Sequence, residues 1–136
     1  MCAAFRFLTF SGYGAARDDG VFRTEAARLL TEAAAKPFAV IDEFGGYELL
    51  VPEFSGALSA FLKSGIPCVG VLKAPAAALE LHARVGLPPA YLSAAQALHA
   101  ALTADPDTVI LETSGRYDTG AEDALRAWTE EYANGG

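Results

Sequence analysis

The chain has 136 residues, 52% of them hydrophobic and 20% charged, with a formal net charge of −7. That length suits one domain, spanning 1–136, with a real core, and the hydrophobic content excludes a disordered acidic chain. The acidity and the ten scattered Lys and Arg residues argue against nucleic acid as a partner, because phosphate backbones are bound by clustered cations. No apolar run approaches the roughly 20 residues that cross a bilayer. "MCAAFRFLTF" is too short and too poor in basic residues for a signal peptide. Neither a membrane nor nucleic acid is therefore expected as a partner, and the cytoplasm is the expected location. Cys2 and Cys68 make neither a disulfide framework nor a zinc pattern. Cys68 reads as a small buried apolar residue.

In chain order, "FRFLTF" (5–10) is a short strand and the glycine- and aspartate-rich "SGYGAARDDG" (11–20) a loop. Phe22, Ala26, Leu29, Leu30 and Ala33 recur at helical spacing, which predicts a helix from about Val21 to Ala35. "FAVID" (38–42) is uniformly apolar up to its acid, the pattern of a strand buried on both faces of a parallel sheet. Pro52 opens a second helix running to about Lys63, and Gly65 ends it. "IPCVGVLK" (66–73) is a second buried strand, and "AAALELHARVG" (76–86) a helix stopped by Gly86. "LPPAYLSA" (87–94) reads as an extended connection, "AAQALHAAL" (94–102) as a short helix and "TVILETS" (108–114) as a third apolar strand. A last amphipathic helix covers about Thr119 to Tyr132. Strands alternating with helices predict an α/β fold: a three-layer arrangement with a largely parallel sheet flanked by helices.

The chemistry gathers at "AVIDEFGGYELL" (39–50), where an apolar strand delivers Asp42 and Glu43 ahead of a glycine pair. Ligands of open parallel sheets collect beyond the carboxyl ends of the strands. An aspartate there can support magnesium on nucleotide phosphates, and a neighbouring acid can polarise an attacking water. Strands ending in Asp are also common as helix caps or solvated loop acids, so the pattern alone leaves both uses open.

The wider stretch "VIDEFGGYELLVPEFSGALSAFLKSGIPCVGVLK" resembles the Walker B region of a family of P-loop nucleoside-triphosphatases, the cancer-related and thermophile-type NTPases. The matching positions are Ile41-Asp42-Glu43-Phe44-Gly45, Glu48-Leu49, Phe54 and Ile66-Pro67. The preceding "SGYGAARDDGVFRTEAARLLTEAAA" is similar to the family's "GxYG" loop and the helix leading into Walker B. The likeness covers roughly residues 11–75 and only loosely the last third. It implies that Asp42 supports magnesium and Glu43 acts as catalytic base, with Mg and ATP or GTP as cofactors of the complete protein. Glu48 belongs to the same motif as an exposed acid or a cap. Gly45 and Gly46 let the backbone turn sharply.

The chain departs from the family in one decisive respect. Phosphate binding by a P-loop needs G-x-x-x-x-G-K-[ST]. None of the three lysines, Lys36, Lys63 and Lys73, follows a glycine. Gly12, Gly14 and Gly20 could form an anion nest, but Asp18 and Asp19 beside them would repel phosphate, and the stretch reads as a surface loop. Phosphoryl transfer rests on positioning and electrostatics, so independent hydrolysis is not expected. The fold implied is an incomplete P-loop NTPase, the C-terminal part of an NTP-binding protein. The slot of the missing strand is then filled by "FRFLTF", by a rearranged sheet, or by another chain: a homodimer or an N-terminal P-loop half. The alternative is a degenerate, non-catalytic module that binds a protein partner.

Other signals are weaker. Lys73 could lie near Asp42 if the two strands are neighbours, for charge balance or for nucleotide contact. His82 and His99 lack a second ligand at helical spacing and read as solvated or partly packed residues. Trp128 and Tyr132, four apart, read as the packing face of the last helix. "ETSGRYDTG" (112–120) could join a pocket rim with Asp42, and Ser114 lacks the surroundings of a nucleophile.

Overall fold

A computed structural model of the chain describes residues 8–11, 14–17, 20–112 and 119–133. Strand β1 (Leu8–Ser11) pairs antiparallel with β2 (Gly14–Arg17) in a sheet of its own. Six π-helical residues (Val21–Ala26) lead into α1 (Ala27–Ala33), followed by β3 (Ala39–Phe44) and a single 3₁₀ turn (Tyr47–Leu50). Then come α2 (Pro52–Lys63), β4 (Cys68–Leu72), α3 (Pro75–Val85), α4 (Pro89–Ala104) and α5 (Thr119–Ala133). β3 and β4 pair in parallel. The architecture is mixed α/β and mostly helical, around a small parallel sheet.

Several helix boundaries follow from local chemistry. Pro52, Pro75 and Pro89 each occupy the first helical turn, where the missing N–H has no partner to lose. α3 stops at Gly86, left-handed at φ 71°, and its N–H donates to the His82 carbonyl over 3.0 Å. The apolar stripe of α2 buries Phe54, Leu58 and Phe61. With Leu30, Ala39, Phe44, Tyr47 and Tyr91, these side chains form the main core around β3. The Phe38 and Trp128 rings meet at a tilt of 42° with centroids 5.2 Å apart, which ties α5 to the entry of β3.

The structure corrects four expectations about the elements, and also the burial expected of the two parallel strands, since Val40 of β3 is 67% and Val71 of β4 61% exposed in a sheet of only two described strands. Residues 14–17 are a strand rather than loop, because a hairpin supplies a partner for their backbone. That pairing also takes Leu8–Phe10 away from the parallel sheet, so this part of "FRFLTF" does not fill the missing slot; residues 5–7 lie outside the described residues. The stretch 87–94 is not extended. Only Leu87 and Pro88 connect, and Pro89 starts a helix of 16 residues that absorbs the short one expected at 94–102. Two adjacent prolines suggested extension, but the second stands where a helix tolerates it best.

The fourth correction concerns "TVILETS". Residues 108–112 form no strand, and Ser114 and the rest of 113–118 lie outside the described residues. Val109, Ile110 and Leu111 are exposed. A strand exists through pairing with another strand, and β-branched composition does not supply the partner. Among the described residues the parallel sheet thus has two strands.

Candidate functional site

Asp42 and Glu43 lie two and one residues inside the end of β3, and a defect in the ladder presents them. Ala39, Val40 and Ile41 stand opposite Cys68, Val69 and Gly70, while Phe44 stands opposite Leu72. β3 advances three residues where β4 advances two, so the acids share the place facing Val71. This is a β-bulge, which disrupts the ladder locally and re-aims side chains. In a regular strand, successive side chains would point to opposite faces; here Asp42 and Glu43 are both exposed while Phe44 returns to the core. Gly70 makes room beside the bulge. A Cβ there would meet the Phe44 ring at 2.7 Å and the Ile41 carbonyl oxygen at 3.1 Å.

The turn that follows is fixed at four polar groups in two consecutive peptide units. The Phe44 carbonyl accepts from the Lys73 N–H at 2.9 Å. The Gly45 and Gly46 N–H groups both donate to Glu48 Oε1 at 2.9 Å. The Gly45 carbonyl accepts from the Tyr91 hydroxyl at 2.8 Å. Gly45 sits at φ 99°, a conformation that suits glycine. Glu48 is therefore a buried carboxylate that caps its own turn, not an exposed acid. Burial pushes its carboxyl above the ordinary glutamate value; the amides of residues 46, 48 and 45 pull the other way, and the Glu43 charge adds to the rise. Tyr91 has no accessible surface. Its hydroxyl is pushed up to about 12 by burial, with the Glu48 and Glu43 charges adding to the shift.

Lys73 pairs with Glu43 rather than Asp42, Nζ to Oε1 at 2.8 Å. The lysine side chain is 20% exposed and the glutamate 59%, so water screens the pair and about 1 kcal/mol is an upper bound on its worth. Among the described residues, Glu43 Oε2 and both Asp42 oxygens are left for other contacts. A groove of about 450 Å3 opens beside them. It touches five consecutive β3 residues, Ala39 to Glu43. Leu29 and Leu30 of α1 and Arg84 and Val85 of α3 also line it.

The acids, Gly46, Glu48 and Lys73 thus share one groove. His82 lies on α3 and His99 on α4, and neither lines it. Cys68, in β4, is half-buried, and burial raises its thiol. Tyr132 belongs to α5, but its side chain lies outside the described set. Among the described residues, no group of three or more His, Cys, Asp or Glu side chains could hold a metal ion, and no helix is long and apolar enough to cross a membrane. Magnesium, however, commonly takes one or two carboxylates and fills its other positions with water and phosphate oxygens. A single exposed aspartate fits that mode, whereas a closed protein cage does not.

Sequence reasoning did not find Tyr91, which is 46 positions from its carbonyl partner and was expected in an extended connection. A signal for Glu48 was present: an acid two and three residues after a glycine pair can receive both amides. No protein-family model, no curated protein and no solved structure matches the chain.

Proposed function

We propose that this chain is the Walker B-bearing part of a nucleoside-triphosphate-binding protein, an incomplete P-loop-type three-layer fold whose phosphate cradle comes from elsewhere. Asp42 supports the magnesium of Mg-ATP or Mg-GTP, and Glu43 orients the attacking water in the complete protein. The observation that carries the reading is the bulge in β3, at which two consecutive exposed carboxylates line one groove at the carboxyl end of a parallel strand. The bound metal would supply charge neutralisation on the phosphates. Asp42 offers a carboxylate with no protein cation paired to it among the described residues. Glu43 holds Lys73 through one oxygen and presents the other.

The missing cradle sets the expected behaviour. Without a glycine–lysine loop the chain alone binds nucleotide weakly and does not turn it over. In an amide-resolved titration with Mg-ATP, residues 41–46 should shift only at millimolar nucleotide, and Asp42→Asn should abolish the response. Silence at those amides would sink the nucleotide reading. Micromolar saturation would overturn the claim that the cradle is supplied from outside.

A second reading, a non-catalytic module that binds a protein, draws on a different observation. Val40 is 67% exposed on β3, whose second edge no described strand covers, and such edges invite another strand. The two readings meet in one experiment on assembly state. A homodimer, or a complex with a partner carrying the P-loop, would cover that edge. A stable monomer at all concentrations would speak against self-association.

A further inference from the structure

We propose that Glu48 and Tyr91 are positioning residues, which lock the two peptide units after Glu43 and so fix where the Asp42–Glu43 bulge is presented. This rests on the reading of Asp42 and Glu43 as the working acids. A two-residue glycine turn is the softest backbone available, and here it follows directly on the strand end that must hold a fixed geometry. Each of its two peptide units is held from both sides. The 44–45 unit lies between the Lys73 amide of β4's exit and the Glu48 carboxylate. The 45–46 unit lies between the same carboxylate and the Tyr91 hydroxyl of α4.

The chemistry of the lock is specific. One oxygen, Glu48 Oε1, receives both glycine amides, and a charged acceptor makes these bonds stronger than neutral ones. Glu48 and Tyr91 are 6% and 0% exposed, and Phe44 and Gly45 are buried with Gly46 half-buried, so water has little access to the four groups. Nor is there slack at Gly46, where a Cβ would lie 2.6 Å from Glu48 Oε2. Lys73 joins the arrangement twice, its backbone N–H holding Phe44 and its ammonium holding Glu43. Rotation of either peptide unit would therefore move the backbone on which Glu43 meets Lys73. Tyr91 makes α4 a party to the acid geometry across 46 positions of sequence.

The test compares Tyr91→Phe, Glu48→Ala and Glu48→Gln in the full chain by amide hydrogen exchange, with the Leu58 amide of α2 as reference for global opening. In Tyr91→Phe and Glu48→Ala, the Gly45 and Gly46 amides should exchange about tenfold faster relative to Leu58, the effect of losing roughly one hydrogen bond. The backbone amide shifts of Asp42 and Glu43 should move at the same time, because the bulge is no longer held in place. Glu48→Gln retains an acceptor oxygen and should restore both readouts most of the way. Uniform acceleration of all three amides, with Glu43 unmoved, would make the residues merely structural and overturn the proposal. If the two classes of variant behave alike, the lock is also refuted, because rescue by the glutamine is its chemical signature. The Mg-ATP shift at Asp42, followed in the same samples, separates the two ideas. Selective exchange without any nucleotide response in wild type leaves the lock standing and removes the nucleotide reading. An identical nucleotide response in wild type, Tyr91→Phe and Glu48→Ala removes the lock.

Discussion

The turn at residues 44–48 and the segment at 108–112 are both short, both rich in apolar neighbours and both placed after a regular element. In the first, each backbone group of two peptide units has a named partner, and Phe44, Tyr47 and Glu48 are buried. In the second, Thr108 is tied back to Asp105 through its N–H and hydroxyl, and Val109 beyond it is 81% exposed. The difference lies in where partners come from. The turn recruits an acid three residues away, a strand end and a helix, all within reach once α2 and α4 have packed. The segment needs a strand edge alongside it, and among the described residues it has none. Local closure, more than sheet formation, holds the acids in this molecule.

The largest expected effect breaks the turn from the helix side. Tyr91→Ala removes a fully buried ring together with the hydroxyl on Gly45, and should cost about 3–5 kcal/mol of unfolding free energy, the range for deleting a core aromatic. Tyr91→Phe keeps the ring and should cost about 1–3 kcal/mol, since it leaves a buried carbonyl unpaired. Denaturant unfolding of the two variants separates packing from hydrogen bonding. Equal costs would mean that the ring adds nothing beyond its hydroxyl, and a Tyr91→Phe cost near zero would mean that the hydroxyl contributes nothing.

A somewhat smaller effect should follow from filling the space beside the bulge. Gly70→Ala places a Cβ against the Phe44 ring and the Ile41 carbonyl, so the ring must shift or the ladder open, at about 1–3 kcal/mol. The exposed acids should move with it, seen as altered amide shifts at Asp42 and Glu43. Unchanged stability would mean that the bulge is loose enough to absorb a methyl group.

How much of this was legible from sequence follows the same division. Short-range chemistry was readable: Pro52 and Gly86 mark helix ends where the structure has them, and the apolar run 38–42 lies largely in β3. The acids were found because the motif is contiguous. The bulge could not be read, because it is a relation between β3 and β4 and appears in neither strand alone. Tyr91 was hidden for a similar reason, and by Pro88-Pro89, whose helix-opening role looks like extension until the residues beyond them fold. "TVILETS" carries strand composition without the partner that makes a strand.

pH provides a finer probe, with opposite signs at the two regions. Glu48's carboxyl lies above its ordinary 4.5, chiefly through burial, so the folded state takes up its proton more readily than the unfolded chain. Its contribution to stability is fully present below the ordinary glutamate value and is lost as pH rises through the higher folded value. Asp105 lies below its ordinary 3.8, first because the Asp107 amide and then because the Thr108 hydroxyl bonds its carboxylate. Its contribution is present above that ordinary value and is lost as pH falls through the folded one. Thermal unfolding across this range should show Glu48→Gln gaining on wild type as pH rises above 4.5. Asp105→Asn should lose ground at neutral pH and draw level in acid. A Glu48→Gln difference that stayed flat with pH would mean that the carboxyl carries no proton-linked term.

The smallest effect on stability is expected at Val109, and its smallness is informative. At 81% exposure the side chain has little burial to lose, so Val109→Ser should change unfolding free energy by no more than about 0.5 kcal/mol, the usual range for surface substitutions. If the segment's apolar surface joins copies of the chain, the same variant should shift sedimentation toward monomer while leaving the unfolding curve in place. A loss near that of a core deletion would instead mean that 108–112 packs into a sheet in solution, and the contrast with the turn would collapse. Tyr91 and Val109 would then differ in the partners they reach and no longer in whether they have one.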